Sequence, residues 1–181
     1  IINHGVPGTL TRRMTEEAKR FHDLPEETKL SIPVTRDQKG YVPARYGVTT
    51  HSEFHESKKL DTVECLVVAT DYPRDNPNVA AGKQFYGPMP WLPEEALPGF
   101  RAVAEEYMAT ITALGKSLLP VWARALELDA DFFADKFDPA YTYFRMAHYP
   151  PKPDLDDDEM GLAAHTDTGF MTFLPPADES G

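Results

Sequence analysis

The sequence is short of cysteine, of positive charge and of long apolar runs, and each shortage removes a class of protein. A single cysteine among 181 residues cannot close an internal disulfide. The chain is therefore unlike a stapled extracellular domain, and a reducing, cytoplasmic location is expected. Cys65, followed by Leu66-Val67-Val68, reads as a small core residue. Lysine and arginine number 18 against 29 aspartates and glutamates, for a net charge of −11. Such a surface repels a phosphate backbone, so no nucleic-acid partner is expected. No run is apolar enough to suggest a membrane span and no basic cluster suggests a membrane surface, so no membrane partner is expected either. There is also no Gly-x-Ser-x-Gly elbow, no phosphate-cradling loop and no dinucleotide glycine fingerprint.

Apolar residues make up 41% of the chain and aromatics 11%, enough for the core of one domain with a helical extension. Seventeen prolines outnumber eleven glycines, which predicts many rigid connections. Ile1 opens into an apolar stretch and Gly181 follows a polar Asp178-Glu179-Ser180 turn, so both ends are expected to be cuts through a longer protein.

Residues 1–7 read as the end of a strand running into a turn. Leu10, Met14, Ala18 and Phe21 then recur at helical steps, and Pro25 ends that helix or begins a short turn through Lys29. Residues 31–50 look like loop, 62–68 like a buried strand, and 72–93 like a proline-rich connection anchored by Trp91. Phe100, Val103, Tyr107, Ile111, Leu114, Leu118 and Trp122 form one stripe, predicting a long helix that Pro120 kinks or splits. Asp129 looks like a cap for a short helix across Phe132 and Phe133. From Pro139 the period becomes two: strands are expected over 141–149, 161–167 and 170–174. Tyr143, Arg145, Ala147 and Tyr149 share a face of the first.

Chemistry concentrates at His165-Thr166-Asp167. In an extended strand residues i and i+2 share a face, so the imidazole and the carboxylate can reach one metal ion. They supply two thirds of the 2-His-1-carboxylate set that holds non-haem iron(II) with open positions. Taken alone, the three residues fit better a hydrogen-bonded histidine and a turn-capping aspartate, and only their context points to a metal. Every other histidine precedes the pair. Two rival features carry less. His51 and His55 stand at i and i+4, but Glu53 is one position late for a zincin motif. The acidic run Asp154–Glu159 lacks the glycine and spaced ligands of a calcium loop.

The ordered motifs are more specific than any one of them. IINHGVP at the start, FHDLPEETK at 21–29, GYVP at 40–43, KLDTVE at 59–64 and DYP at 71–73 are followed by LPGF at 97–100, FRMAHYPPKP at 144–153 and GLAAHTDTGFMTFL at 161–174. Together they resemble the isopenicillin N synthase-like iron(II)/2-oxoglutarate-dependent oxygenases over nearly the whole chain.

That resemblance implies an α+β chain: a helical N-terminal region followed by the beginning of a double-stranded β-helix (jelly-roll) core, incomplete at the C-terminus. The expected divisions are an N-terminal region at 1–93, supporting helices at 94–138 and the start of the jelly-roll at 139–181. It implies that His165 and Asp167 are iron ligands and that Tyr149 helps bind a 2-oxoglutarate or substrate carboxylate. Arg145, on the same strand face as Tyr149, could add charge there or form an ion pair at the sheet surface. Phe170 is expected to wall the substrate pocket. Ala147-His148 stands where plant members commonly carry Asn-Tyr.

The implied cofactors are Fe(II), 2-oxoglutarate as cosubstrate and ascorbate as reductant. The implied partners are dioxygen and a small organic metabolite, which would be hydroxylated, desaturated or cyclised as 2-oxoglutarate is decarboxylated to succinate and CO2. The family's distal histidine and its Arg-x-Ser motif cannot be placed in residues 1–181, so little activity is expected of this chain alone. Two alternatives stay open: an iron oxidase of the same fold that dispenses with 2-oxoglutarate, and a non-catalytic paralogue serving as a binding or scaffold protein.

Overall fold

A computed structural model of the chain describes residues 2–47, 60–151, 161–167 and 169–175. The segment holding His51 and His55 and the acidic run 154–159 lie outside the described residues. Helix α1 spans Gly8–His22 and buries Leu10, Met14 and Phe21, the stripe its spacing predicts. Lys19, Arg20 and His22 occupy its last turn, where positive charge complements the helix dipole. Residues 2–7 form no strand; the chain turns directly into α1, with Pro7 at the N-cap position. Pro25 starts a short helix α2, Glu26–Leu30.

Strand β1, Gly40–Val42, lies within the stretch predicted as loop. It pairs antiparallel with β2, Glu64–Ala69, placing Tyr41 opposite Leu66 and Val42 opposite Cys65. Gly40 makes this pairing possible. Its φ is +114°, and a Cβ there would lie 2.6 Å from the Pro33 carbonyl oxygen. The proline-rich connection contains one short helix, α3, Pro77–Ala80. Trp91 anchors it against Phe100, with ring centroids 6.4 Å apart.

Helix α4, Phe100–Ala125, runs unbroken through Pro120, which faces solvent. Its buried residues are Phe100, Val103, Ala104, Leu119 and Ala123. The expected stripe thus holds at the N-terminal end but has rotated by one position at the other, leaving Trp122 exposed. Gly99, at φ +82°, starts the helix, and its N–H donates to Glu94 Oε1 at 2.7 Å. No helix forms across Phe132 and Phe133, which lie in a turn before a 3-10 helix at Asp135–Phe137.

Strand β3, Tyr143–His148, pairs antiparallel with β2, so the sheet order is β1-β2-β3 with β2 in the centre. Alternation divides the side chains between two faces. Tyr41, Leu66, Val68 and Met146 pack against Met14 and Phe21 of α1 and Phe100 and Val103 of α4, forming the core. Cys65, Val67 and Arg145 occupy the opposite face. Residues 161–167 and 170–174 are coil rather than the expected strands. Their alternation suits a strand, but their backbone bonds go elsewhere. The Gly161 carbonyl accepts from both Thr62 and Val63 N–H at 3.0 Å, and Ala163 N–H donates to the Asp61 carboxylate at 3.2 Å.

Candidate metal centre

The tie to residues 61–63 fixes where the His165-Thr166-Asp167 segment leaves the sheet. His165 Nδ1 lies 2.8 Å from the Ala163 carbonyl oxygen. A carbonyl only accepts, so Nδ1 carries the proton and Nε2 keeps its lone pair. That Nε2 is 3.6 Å from Asp167 Oδ1. Two ligands of one ion at bond lengths of about 2.0–2.2 Å sit roughly 3 Å apart when adjacent in its coordination shell. The donor set therefore fits a divalent transition metal: a neutral nitrogen and an anionic oxygen at near-ligand spacing, with the imidazole oriented by a carbonyl as metal-bound histidines usually are. Both side chains are partly exposed, leaving a route for exchange with solvent.

The other residues singled out in the sequence fall into two groups. Arg145 lines a cavity of about 180 Å³, together with Val42, Pro43, Tyr46, Gly47, Asp61, Val63, Cys65 and Leu162. Among the described residues its guanidinium donates to Cys65 Sγ, 3.4 Å away, a weak acceptor. The space is below the roughly 300–1,000 Å³ of a full ligand pocket and suits one end of a small acid. Tyr149, half exposed, lies against Gly161: a Cβ on that glycine would fall 2.5 Å from the ring. Tyr149 and Gly161 thus link the end of β3 to the segment carrying the metal pair. Phe170 is elsewhere, in an aromatic cluster with Trp122, Phe133 and Phe137 at centroid distances of 4.9–5.7 Å.

A third group escaped the sequence reading. Glu64, at the start of β2, stands opposite His148 at the end of β3. Its Oε1 is 2.7 Å from His148 Nδ1 and 3.5 Å from His22 Nδ1, and its Oε2 accepts from Lys29 Nζ at 2.9 Å and from the Tyr41 hydroxyl. Burial opposes ionisation of this carboxyl, but the bonds from His148, Tyr41 and Lys29 outweigh it and hold its pKa down to about 2. Burial lowers the pKa of His22 against the opposing bond to the Met146 carbonyl. The only sequence trace of this cluster was a charged residue opening an otherwise apolar strand.

Residues 1–94 match the family described as non-haem dioxygenase in morphine synthesis, N-terminal. The chain is 29% identical over 178 residues to kihadalactone A synthase LFS of Citrus sinensis, covering 96% of this chain and 52% of that protein. It is 33% identical over 190 residues to the 2-oxoglutarate-dependent dioxygenase citB of Monascus ruber, covering 100% of this chain and 55% of citB. It thus spans about half the length of the curated relatives it matches. In fold it resembles a putative 2OG-Fe(II) oxygenase family protein of Caulobacter crescentus, with a TM-score of 0.66 at 24% identity, over 83% of this chain and 46% of that one. No helix among the described residues is long and apolar enough to cross a membrane. Motifs, helices, three-stranded sheet and relatives agree: the chain belongs to the isopenicillin N synthase-like family of non-haem, iron(II)- and 2-oxoglutarate-dependent dioxygenases.

Proposed function

We propose that the protein to which these residues belong oxidises a small organic metabolite, with His165 Nε2 and the Asp167 carboxylate as two ligands of its iron. The observation that carries this reading is the fixed tautomer of His165, whose free nitrogen faces Asp167 at 3.6 Å. When bound, the iron supplies the oxidising power, coupled to decarboxylation of 2-oxoglutarate to succinate and CO2. The chain's own part is positioning. The Ala163 carbonyl holds the imidazole, and the Gly161 and Ala163 bonds to residues 61–63 hold the loop. Arg145 lines the cavity and, among the described residues, donates only to the weak Cys65 Sγ acceptor, so it would offer its remaining guanidinium donors to a carboxylate there. Tyr149, against Gly161, would contact a carboxylate nearer the His165 segment. Residues 139–181 would open the jelly-roll, and Phe170, clustered with Trp122, Phe133 and Phe137, would wall a substrate space apart from the Arg145 cavity.

The test is a turnover assay of the full-length protein with iron(II), ascorbate and labelled 2-oxoglutarate across a panel of metabolites. Substrate-stimulated succinate is expected, and His165→Ala or Asp167→Ala should abolish it while leaving the far-ultraviolet circular dichroism unchanged. Bound iron with no succinate from any metabolite would count against 2-oxoglutarate use. Full activity in His165→Ala would remove the proposed ligand.

A further inference from the structure

His22, Glu64 and His148 come from three elements and meet at one point. His22 closes α1, Glu64 opens β2 and His148 closes β3. Their nearest donor atoms all lie within 4.8 Å of one another. The His22 ring decides what the point is for. Its Nε2 is 3.0 Å from the Met146 carbonyl oxygen, which only accepts, so the proton is on Nε2 and Nδ1 is a bare lone pair. The side chain is 6% exposed, and Nδ1 is buried with no hydrogen-bond partner among the described residues. A buried acceptor left without a donor is unfavourable, and this one faces a carboxylate oxygen 3.5 Å away that cannot donate to it. Two electron-rich atoms face each other with no proton between them.

A metal ion satisfies both. We infer that His22 Nδ1, Glu64 Oε1 and His148 Nδ1 form a site for a divalent first-row transition metal of the zinc class, on the sheet face opposite the Arg145 cavity. Two imidazoles and a carboxylate suit such ions. Two of the three separations, 2.7 and 3.5 Å, bracket the roughly 3 Å between adjacent ligands of an ion at about 2.0–2.2 Å. The third, within 4.8 Å, would shorten as the rings turn towards the ion. The Tyr41 hydroxyl bonds Oε2 and would keep Oε1 aimed at the histidines even without Lys29. His148 gives up the Nδ1 proton it shares with Glu64 and takes one on Nε2; its side chain is 44% exposed, so solvent can carry the exchange. The bound ion would tie the end of α1 to the β2–β3 ladder. The Lys29 ammonium opposes a second cation nearby, so removing that charge should strengthen binding.

The experiment titrates cobalt(II), whose visible absorption reports nitrogen and oxygen ligands, into the chelator-stripped full-length protein. In a His165→Ala/Asp167→Ala background one equivalent should still bind. Adding His148→Ala or His22→Gln should weaken it at least tenfold, and adding Lys29→Met should tighten it severalfold. A merely structural hydrogen-bond cluster would not give that last gain. Zinc(II) should raise the melting temperature of this background but not of its His148→Ala derivative. The inference is overturned if the background binds no cobalt(II), or if His148→Ala leaves affinity unchanged. It is equally overturned if His51→Ala/His55→Ala removes the binding. His148 is partly exposed and its substitution should not disturb folding, so it decides the matter if His22→Gln unfolds.

Discussion

The Lys29 ammonium lies 2.9 Å from Glu64 Oε2 with both side chains nine-tenths buried, so the pair joins α2 to the central strand inside the core. Removing one partner strands the other charge in a poorly solvated place. Glu64→Gln is expected to lower unfolding free energy by about 3 kcal/mol, the usual loss when a buried pair is broken from one side. Lys29→Met should lose less, because His148 and Tyr41 still bond the carboxylate. The double variant should fall short of the sum of the two single losses. Urea denaturation at neutral pH measures all three.

Lys39 predicts an alkaline effect. It is fully buried, with its ammonium on the Thr70 and Gly87 carbonyls, and burial lowers its pKa although Asp71 and Asp37 pull the other way. Between the folded and unfolded values the unfolded chain holds more protons, so this residue's contribution to stability rises with pH towards 10.5. Lys39→Met should therefore lose part of the wild-type gain over that window. Parallel pH–stability curves for the two proteins would disprove the assignment.

Gly40 and Gly47 lie close in sequence and should respond oppositely to alanine. At Gly40 a Cβ would meet the Pro33 and Ile32 carbonyl oxygens at 2.6 and 2.8 Å and φ is +114°; at Gly47 nothing among the described residues lies within 4 Å. Gly40→Ala is expected to cost about 2–4 kcal/mol from backbone strain and clash, and Gly47→Ala almost nothing. Thermal melts separate the two.

Gly161→Ala should act on function more than on stability. The new methyl would strike the Tyr149 ring, which can swing aside at little cost. In the full-length enzyme KM for 2-oxoglutarate or substrate should rise several-fold while the melting temperature stays nearly constant. Steady-state kinetics beside a melt checks both halves.

Arg145→Gln should weaken binding of whichever carboxylate enters the cavity by roughly 10–100-fold, the worth of a charged hydrogen bond or two. Arg145→Lys should recover only part of this, since an ammonium cannot form the planar fork. Calorimetric titration of 2-oxoglutarate and of the substrate would identify the ligand concerned.

Periodicity was the readable part of the sequence. The steps from Leu10 to Phe21 and from Phe100 to Tyr107 marked buried helix faces, and the alternation from Tyr143 to Tyr149 gave the faces of β3 correctly. Strand β1 escaped because three residues carry no period; it exists through its partner β2 and the bridge from Pro33 to Tyr41. The expected strands at 161–167 and 170–174 have strand-like alternation, yet a strand needs a ladder, and Gly161 spends its carbonyl on Thr62 and Val63. His165 and Asp167 were legible as a pair because they are neighbours but one. The Glu64 cluster was not, because its histidines lie 42 positions before and 84 positions after it in sequence.

The two hydrogen bonds to the Gly161 carbonyl also tie distant parts of the chain together. The loop that carries His165 and Asp167 is held by backbone donors about a hundred positions earlier, just ahead of β2. A substitution that disturbs the entry to β2 is therefore expected to displace His165 and Asp167 without touching either of them.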